Sequence, residues 1–290
     1  FKLDKIDRKI LHDLQTNGRM TNVELANNAG ISAPPCLRRV RALEDNQVIN
    51  AFKIYSDLAA KGKMDKDEVR LYLADDDVRG LVDQFAKEVD STVIVAGDYV
   101  YMIPISMGSI YHISNETIKK DYLPSGAVNN DIYLMYVCTI ILFREFYDRY
   151  QSVNPTRDFI TIEHWLGCVN ERIFSLREHS EEKLKEFEKE YEYNWLSIIE
   201  KWDPLNDLKE NVNRQDARTK SRVSFLNITK KFLEKNELVI DIGNDEIQLT
   251  EKKKTIIRRY YMDYEFNTGI LNFMYNLDKN EEAREDAIDI

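Results

Sequence analysis

The chain has 290 residues, of which 43% are hydrophobic and 32% are charged. This composition is typical of a globular protein with two or three domains and excludes an intrinsically disordered chain. The formal net charge of −10 argues against a protein that coats nucleic acid along its whole length. The charge is uneven, because residues 1–50 carry a net +2 and the remainder carries −12. Nucleic-acid binding is therefore expected only in the N-terminal segment.

Cysteine usage and hydropathy indicate a cytoplasmic protein without a membrane partner. The three cysteines have no close pairing, which is typical of reduced, buried thiols; they are Cys36, Cys138 and Cys168. The most apolar run, residues 132–146, is shorter than the roughly 20 residues that cross a bilayer. We expect this run to form a buried helix.

The first element is a helix from Asp4 to Gln15. Asp4 is a suitable N-cap, and Asp7 lies in the first turn, where a carboxylate is favourable. Apolar residues with the helical period form the buried stripe, namely Ile6, Ile10, Leu11 and Leu14.

Two short helices joined by a tight turn follow at residues 21–46. Thr21 and Glu24 have the spacing of a capping box. Gly30 tolerates the positive φ of a sharp reversal. Ser32 is a natural N-cap for the second helix, and Pro34 lies in its first turn, where a missing N–H costs little. This pattern predicts a helix-turn-helix motif.

The second helix separates an apolar stripe from a basic face. The stripe has i, i+4, i+7 spacing and consists of Cys36, Val40 and Leu43. Arg38, Arg39 and Arg41 fall largely off the stripe, where guanidinium groups can reach phosphates or guanine edges. A solvated basic face on an ordinary three-helix bundle is the alternative, and DNA binding is the favoured interpretation.

Three segments, Leu3–Leu11, Gly18–Ala26 and Gly30–Glu44, closely resemble the N-terminal domain of Lrp/AsnC transcriptional regulators, and the resemblance extends over residues 3–49. It implies that the second helix of the motif is a recognition helix in the major groove. By this resemblance, the residues that contact DNA are Thr21, Asn22, Ser32, Pro34, Arg38, Arg39 and Arg41. The βαββαβ effector domain of that family is not found after residue 52, so neither an effector nor the family's mode of assembly is implied.

The character of the sequence changes near residues 50–53, at a natural or engineered joint. Residues 53–105 predict three helices, the second over Asp65–Tyr72, followed by a hairpin around Gly97-Asp98. This is the order of a winged helix. Asp75, Asp76 and Asp77 precede the third helix and are interpreted as N-cap residues in preference to a metal site.

Residues 106–205 predict a helical region, including helices at 130–150 and 158–177. His164 and Cys168 lie one helical turn apart, a spacing that zinc could use. Because two ligands do not make a zinc site and no second pair is found nearby, no metal is predicted.

Residues 206–290 repeat a winged-helix-like order, with a helix, a hairpin around 243–245 and a helix capped by Thr250. Basic residues decorate the first helix, namely Lys220, Arg222, Lys230 and Lys231. The hairpin tip, in contrast, is acidic and would repel phosphate. A protein-binding or dimerisation module is therefore favoured here.

Residues 53–277 also resemble, in the order of elements and without a shared motif, the winged-helix accessory subunits of bacterial SMC-type complexes, which are the MukE-like proteins that include those of Wadjet systems. The resemblance implies a kleisin partner, dimerisation and no enzymatic activity.

The sequence contains no Walker or G-x-G-x-x-G loop, no H-E-x-x-H or G-x-S-x-G motif and no cysteine quartet. No catalytic residue or cofactor is therefore predicted, and the protein is not expected to be an enzyme. The predicted fold is mainly α, divided into 1–52, 53–105, 106–205 and 206–290. The predicted function is sequence-specific binding of double-stranded DNA by a homodimeric transcriptional regulator, and the alternative is the non-enzymatic SMC/kleisin subunit.

Overall fold

The structure is a computed structural model that describes residues 3–147, 154–191, 194–207 and 221–260. These residues form 13 helices and two three-stranded antiparallel sheets, so the mainly α prediction is confirmed. The chain divides into two compact units, residues 1–112 and 113–290.

The first unit begins with helices and ends in a hairpin. Its helices are α1 (Lys5–Thr16), α2 (Asn22–Ala29), α3 (Ala33–Asp45), α4 (Val48–Lys61), α5 (Arg70–Ala74) and α6 (Asp76–Lys87). Its strands are β1 (Lys63–Asp65), β2 (Ser91–Ala96) and β3 (Tyr99–Pro104).

The sheet of the first unit has the order β1-β3-β2. The hairpin at Gly97-Asp98 is confirmed, with Ala96 opposite Tyr99. The helix predicted over Asp65–Tyr72 is wrong, because β1 ends at Asp65 and α5 begins only at Arg70. A three-residue strand has almost no pattern of its own and forms here because β3 offers an edge to pair with. The Asp75 side chain caps α6 by accepting from the N–H groups of Asp77 and Val78, as the N-cap interpretation predicts.

One hydrophobic core runs through the first unit. It includes Ile10, Leu25 and Leu43 of the first three helices together with Val82 and Val100 of the later elements. Helix α4 runs unbroken across the joint predicted near residues 50–53. The joint is a change in sequence character, and the four-segment division stays a prediction.

The second unit contains the larger share of the helices. These are α7 (Asn115–Asp121), α8 (Asn129–Glu145), α9 (Ile162–Arg177), α10 (Glu181–Tyr191), α11 (Trp195–Trp202), α12 (Arg222–Lys235) and α13 (Glu251–Tyr260). The strands are β4 (Ile160–Thr161), β5 (Val239–Gly243) and β6 (Glu246–Leu249), in the order β4-β6-β5.

Two predicted helices of the second unit have different bounds. Helix α9 begins at Ile162, not at residue 158, because Ile160 and Thr161 pair with β6 and Thr161 then caps the helix. Helix α8 ends at Glu145, and the predicted continuation through residue 150 lies partly outside the described residues. Lys220 and residues 261–290 lie outside them as well.

The core of the second unit is built around Trp165, Trp195 and Trp202, each at most 1% exposed. Cys36 and Cys138 are buried and Cys168 is half-buried, all as free thiols. No helix within the described ranges is long and apolar enough to span a bilayer.

Candidate nucleic-acid interface

Helices α2 and α3 are joined by a turn whose local interactions follow from the sequence. The Thr21 hydroxyl accepts from the Glu24 N–H, and the Glu24 carboxylate accepts from the Thr21 N–H at 2.7 Å, so the predicted capping box is present. Gly30 ends α2 with φ of 68°, in the left-handed region that glycine adopts without a Cβ clash. The chain therefore reverses sharply before α3 begins at Ala33.

The buried stripe of α3 fixes which face the helix presents to solvent. Cys36, Val40 and Leu43 are at most 8% exposed. With Cys36 as the origin and about 100° per residue, Arg38 lies at about 200° and Arg41 at about 140°. Both side chains therefore project from the face opposite the core, and both residues are exposed.

Arg38 and Arg41 make no ion pair with any residue in the described part of the chain. The same exposed face carries Pro34 one turn earlier, at about 160°. Two guanidinium groups about one turn apart, without carboxylate partners, can each donate bidentate hydrogen bonds to phosphate or to guanine. This face of α3 is the candidate interface.

Arg39 lies on a different side of the helix, at about 300° and next to the core stripe. Its Nη1 donates to Asp4 Oδ2 and to Asp7 Oδ1, both at 2.7 Å. Its side chain is 33% exposed, and that of Asp7 is 10% exposed. The structure therefore separates Arg39 from Arg38 and Arg41, because its guanidinium fastens α3 to the first turn of α1.

The electrostatics of this cluster agree with the geometry. The Asp7 and Asp4 carboxylates raise the pKa of the Arg39 guanidinium above its ordinary value. The backbone N–H of Asp7, and to a smaller extent Arg39, hold the pKa of the Asp4 carboxyl below its ordinary value. These effects favour the charged guanidinium of Arg39 and the charged carboxylate of Asp4.

The first turn of α3 offers a second group for contact. Ser32 occupies the N-cap position, but its side chain makes no capping hydrogen bond. This exposed hydroxyl is thus available to an external acceptor such as a phosphate. Thr21, in contrast, uses its hydroxyl within the capping box, where it donates to Glu24 at 2.8 Å. Asn22 is half-buried in the first turn of α2.

Sequence reasoning did not include Arg19, an exposed cation two residues before the N-cap of α2. Its side chain makes no ion pair among the residues that the structure describes. A positive charge immediately before a capped helix was the available signal.

Cys36 of α3 is a core residue, and burial raises the pKa of its thiol.

Comparison with known proteins gives two family matches. Residues 3–44 match the model of the AsnC-type helix-turn-helix domain. Similar proteins include the leucine-responsive regulatory protein of Rhizobium meliloti, 57% identical over 61 residues, which are 21% of this chain and 39% of that protein. The proteins of the same name from Salmonella typhimurium and Escherichia coli K12 are 52% identical over 50 residues, which are 17% of this chain and 30% of each.

These matches confirm the resemblance of the N-terminal segment to Lrp/AsnC regulators. The chain spans well under half the length of these relatives. A second model, described as a family of unknown function (DUF6063), matches residues 41–281. Because that match covers most of the 290 residues, the chain belongs to the DUF6063 family, with an AsnC-type helix-turn-helix at its N-terminus.

Proposed function

We propose that this protein is a sequence-specific DNA-binding transcriptional regulator that inserts α3 into the major groove. The observation that carries the proposal is the exposed face of Arg38 and Arg41, opposite a buried stripe, in a segment that matches the AsnC-type domain. The relatives named as leucine-responsive regulatory proteins support a regulatory role. The compartment is the cytoplasm, and the protein has no catalytic activity of its own.

The dimensions of α3 suit this role. A helix with its side chains is about 10–12 Å across, and the major groove is about 12 Å wide. Arg38 or Arg41 would read guanine O6 and N7 as a bidentate donor, and the Ser32 hydroxyl would hold a phosphate near the start of the helix. Arg39 would support α3 from the side of α1 without touching DNA.

The functional species is a homodimer. One helix-turn-helix contacts few phosphates, whereas regulators of this kind gain affinity by placing two recognition helices about 34–36 Å apart on one duplex. Sedimentation equilibrium of the full chain, with and without its DNA site, measures this directly. A monomer on a single half-site would contradict it.

The test of DNA binding begins with selection of a binding site from a random duplex pool by the full chain. Fluorescence anisotropy then measures affinity for the selected duplex and for a scrambled one, at several salt concentrations. The variant is Arg38→Ala with Arg41→Ala. Its matched control is Lys185→Ala with Lys189→Ala, which makes the same change in net charge on exposed residues of α10.

Each arginine that reads a base should contribute about 1–3 kcal/mol of discrimination. Each arginine that contacts a phosphate should contribute about 0.9 to the slope of log affinity against log salt. We expect the arginine variant to lose discrimination or about two units of slope, and the lysine control to lose neither. Equal behaviour of the two variants would overturn the proposal, as would failure to select any site.

A second candidate function is a non-enzymatic subunit of an SMC/kleisin-type complex. The strand pairing supports this candidate, since in each unit a strand that follows an early helix pairs with the last strand of the hairpin. Strand β5 is an edge strand with Ile240 and Ile242 exposed by 45% and 44%. An edge with exposed apolar side chains suits the addition of a partner strand.

The acidic hairpin makes the second unit a poor DNA reader. Lys230, predicted on the basic face of α12, is buried, and its Nζ donates to Asp241 at 2.6 Å. Arg222 similarly pairs with Asp207 at 2.9 Å. These two cations of α12 are therefore not available to phosphate.

The partner test compares the full chain with Ile240→Asp and Ile242→Asp in affinity purification from the source cells, and mass spectrometry determines whether a kleisin-like protein is captured. The control is Phe174→Asp, which changes an exposed apolar residue elsewhere in the same unit. Loss of the kleisin from the β5 variants alone would support this function. Unchanged capture by both would contradict a role for the β5 edge, and no capture by the full chain would contradict the partner.

A further inference from the structure

Three side chains with different metal-binding atoms meet at the junction of α8 and α9. Glu145 is the last residue of α8, and His164 and Cys168 lie one turn apart on α9. One carboxylate oxygen, one imidazole nitrogen and the thiol sulfur all lie within 4.8 Å of one another. The sequence pattern contained only the histidine and the cysteine, and the fold adds the third group.

The distances are those of ligands around a tetrahedral ion. His164 Nε2 lies 3.2 Å from Glu145 Oε2 and 3.6 Å from Cys168 Sγ. With Zn–N and Zn–O of about 2.1 Å and Zn–S of about 2.3 Å, a tetrahedral ion separates N from O by about 3.4 Å and N from S by about 3.6 Å. Both separations from His164 Nε2 therefore match those around a zinc ion, and the Glu145 and Cys168 ligand atoms lie within 4.8 Å of each other.

Two features of the environment affect whether an ion can bind at this site: its exposure to solvent and the charge beside it. The Glu145 side chain is 17% exposed and that of His164 is 40% exposed, so an ion can enter from solvent. The exposed Arg157 places Nη1 3.0 Å from His164 Nε2. A positive charge thus already lies next to His164, and the long exposed side chain of Arg157 can move away when an ion binds.

Of the three groups, the Cys168 thiol must change most when a metal binds, because it must lose its proton. Burial, followed by the neighbouring Glu145 carboxylate, raises the pKa of Cys168 to about 12. A divalent cation reverses this situation, because a coordinating thiol loses its proton. The proton goes to solvent, as in other thiolate sites.

We propose that Glu145, His164 and Cys168 bind one Zn²⁺ ion, which fastens the end of α8 to α9. A mixed set of sulfur, nitrogen and oxygen ligands favours Zn²⁺ over Mg²⁺ or Ca²⁺, which require oxygen. Three protein ligands leave the fourth position to water. The site lies outside the candidate DNA interface and stands independently of the proposed function.

The experiment uses the full chain after removal of metal with a chelator. Zn²⁺ affinity is measured by competition with a chromogenic chelator, and Co²⁺ serves as a spectroscopic probe whose thiolate charge-transfer band reports a Co–S bond. The ligand variants are Cys168→Ser and His164→Gln. Glu163→Gln and His112→Gln are matched controls, because both residues are exposed and lie outside the cluster.

We expect one Zn²⁺ per chain and a tetrahedral Co²⁺ spectrum with a thiolate band. Loss of groups that merely support metal ligands costs 10–100-fold in affinity, so each ligand variant should lose at least about 100-fold. The controls should be unchanged. Arg157→Ala should tighten binding by about tenfold, because a like charge is removed from the ion's surroundings.

Zinc affinity of the full chain equal to that of Cys168→Ser would overturn the proposal, as would a Co²⁺ spectrum without a thiolate band. The fluorescence of the three buried tryptophans, all in the second unit, reports whether each variant is folded. If the ligand variants do not fold, the Co²⁺ spectrum of the unaltered chain decides the question by itself.

Discussion

Arg38 and Arg39 are adjacent in sequence, and the structure predicts opposite consequences for their replacement by alanine. Arg39→Ala removes the guanidinium that joins Asp4 and Asp7. Asp7 is only 7% exposed and would keep one donor, the Asp4 N–H at 3.1 Å. Arg38→Ala removes a side chain that has no ion pair among the described residues. The two variants therefore separate support of the fold from contact with DNA.

The magnitude follows from the burial of Asp7. A hydrogen bond to a charged group contributes about 1.5–3 kcal/mol, and we take about 2 kcal/mol for the Arg39–Asp7 interaction because Arg39 is one third exposed. Asp4, which is half exposed, adds a smaller contribution. A loss of about 2 kcal/mol raises the equilibrium constant for local opening by about 30-fold. Arg38→Ala should stay within about 0.5 kcal/mol, as is usual for a free surface residue.

The assay is native-state amide hydrogen exchange of peptides from α1 and α3 in the full chain, together with DNA anisotropy. Tryptophan fluorescence cannot replace it, since all three tryptophans lie in the second unit and serve only as an internal control. We expect Arg39→Ala to increase exchange in α1 and α3, and Arg38→Ala to weaken DNA binding without increasing exchange. Unchanged exchange in Arg39→Ala together with lost DNA binding would refute the reasoning and make Arg39 a DNA contact.

Three further predictions concern the same segment. Thr21→Ala should destabilise α2 by about 1 kcal/mol, because the N-cap bond to Glu24 is lost, and exchange in α2 should rise accordingly. Gly30→Ala should cost about 1 kcal/mol in thermal melts because its φ is 68°. A Cβ there meets no atom within 4 Å, so the cost comes from the backbone angle alone. Gly30→Asn should therefore cost less than Gly30→Ala, because asparagine adopts the left-handed region more readily. Since the pKa of Asp4 is lowered from 3.8, its contribution to stability is present above that value and is lost as the pH falls below it. Acid titration by circular dichroism should show this loss, and Arg39→Ala should reduce it.

Local signals in the sequence predicted the frame of the helix-turn-helix correctly. The capping box at Thr21, the left-handed Gly30 and the stripe through Cys36 each depend on residues at most seven positions apart or on one backbone angle. The role of Arg39 could not be predicted in the same way, because its partners lie 32 and 35 positions earlier. A helical wheel places it beside the core but does not name the carboxylates that it meets.

The same distinction explains what was missed elsewhere. Glu145 is 19 positions from His164, so the third group of the cluster became visible only once α8 and α9 were packed together. The short strands at Lys63–Asp65 and Ile160–Thr161 depend on partners 34 or more positions away in the chain. Patterns of local origin were therefore predictable, and pairings set by tertiary packing were not.

The continuity of α4 determines how the DNA-binding segment can be tested. The family matches change from the AsnC-type domain, which ends at residue 44, to the DUF6063 model, which begins at residue 41. Yet α4 runs from Val48 to Lys61 with Ala51, Ile54 and Leu58 in the core of the first unit. Truncation after residue 52 would divide this helix and expose apolar surface on both fragments. Loss of DNA binding by residues 53–290 would therefore not distinguish a missing recognition helix from a damaged core, whereas the Arg38 and Arg41 substitutions leave the core intact.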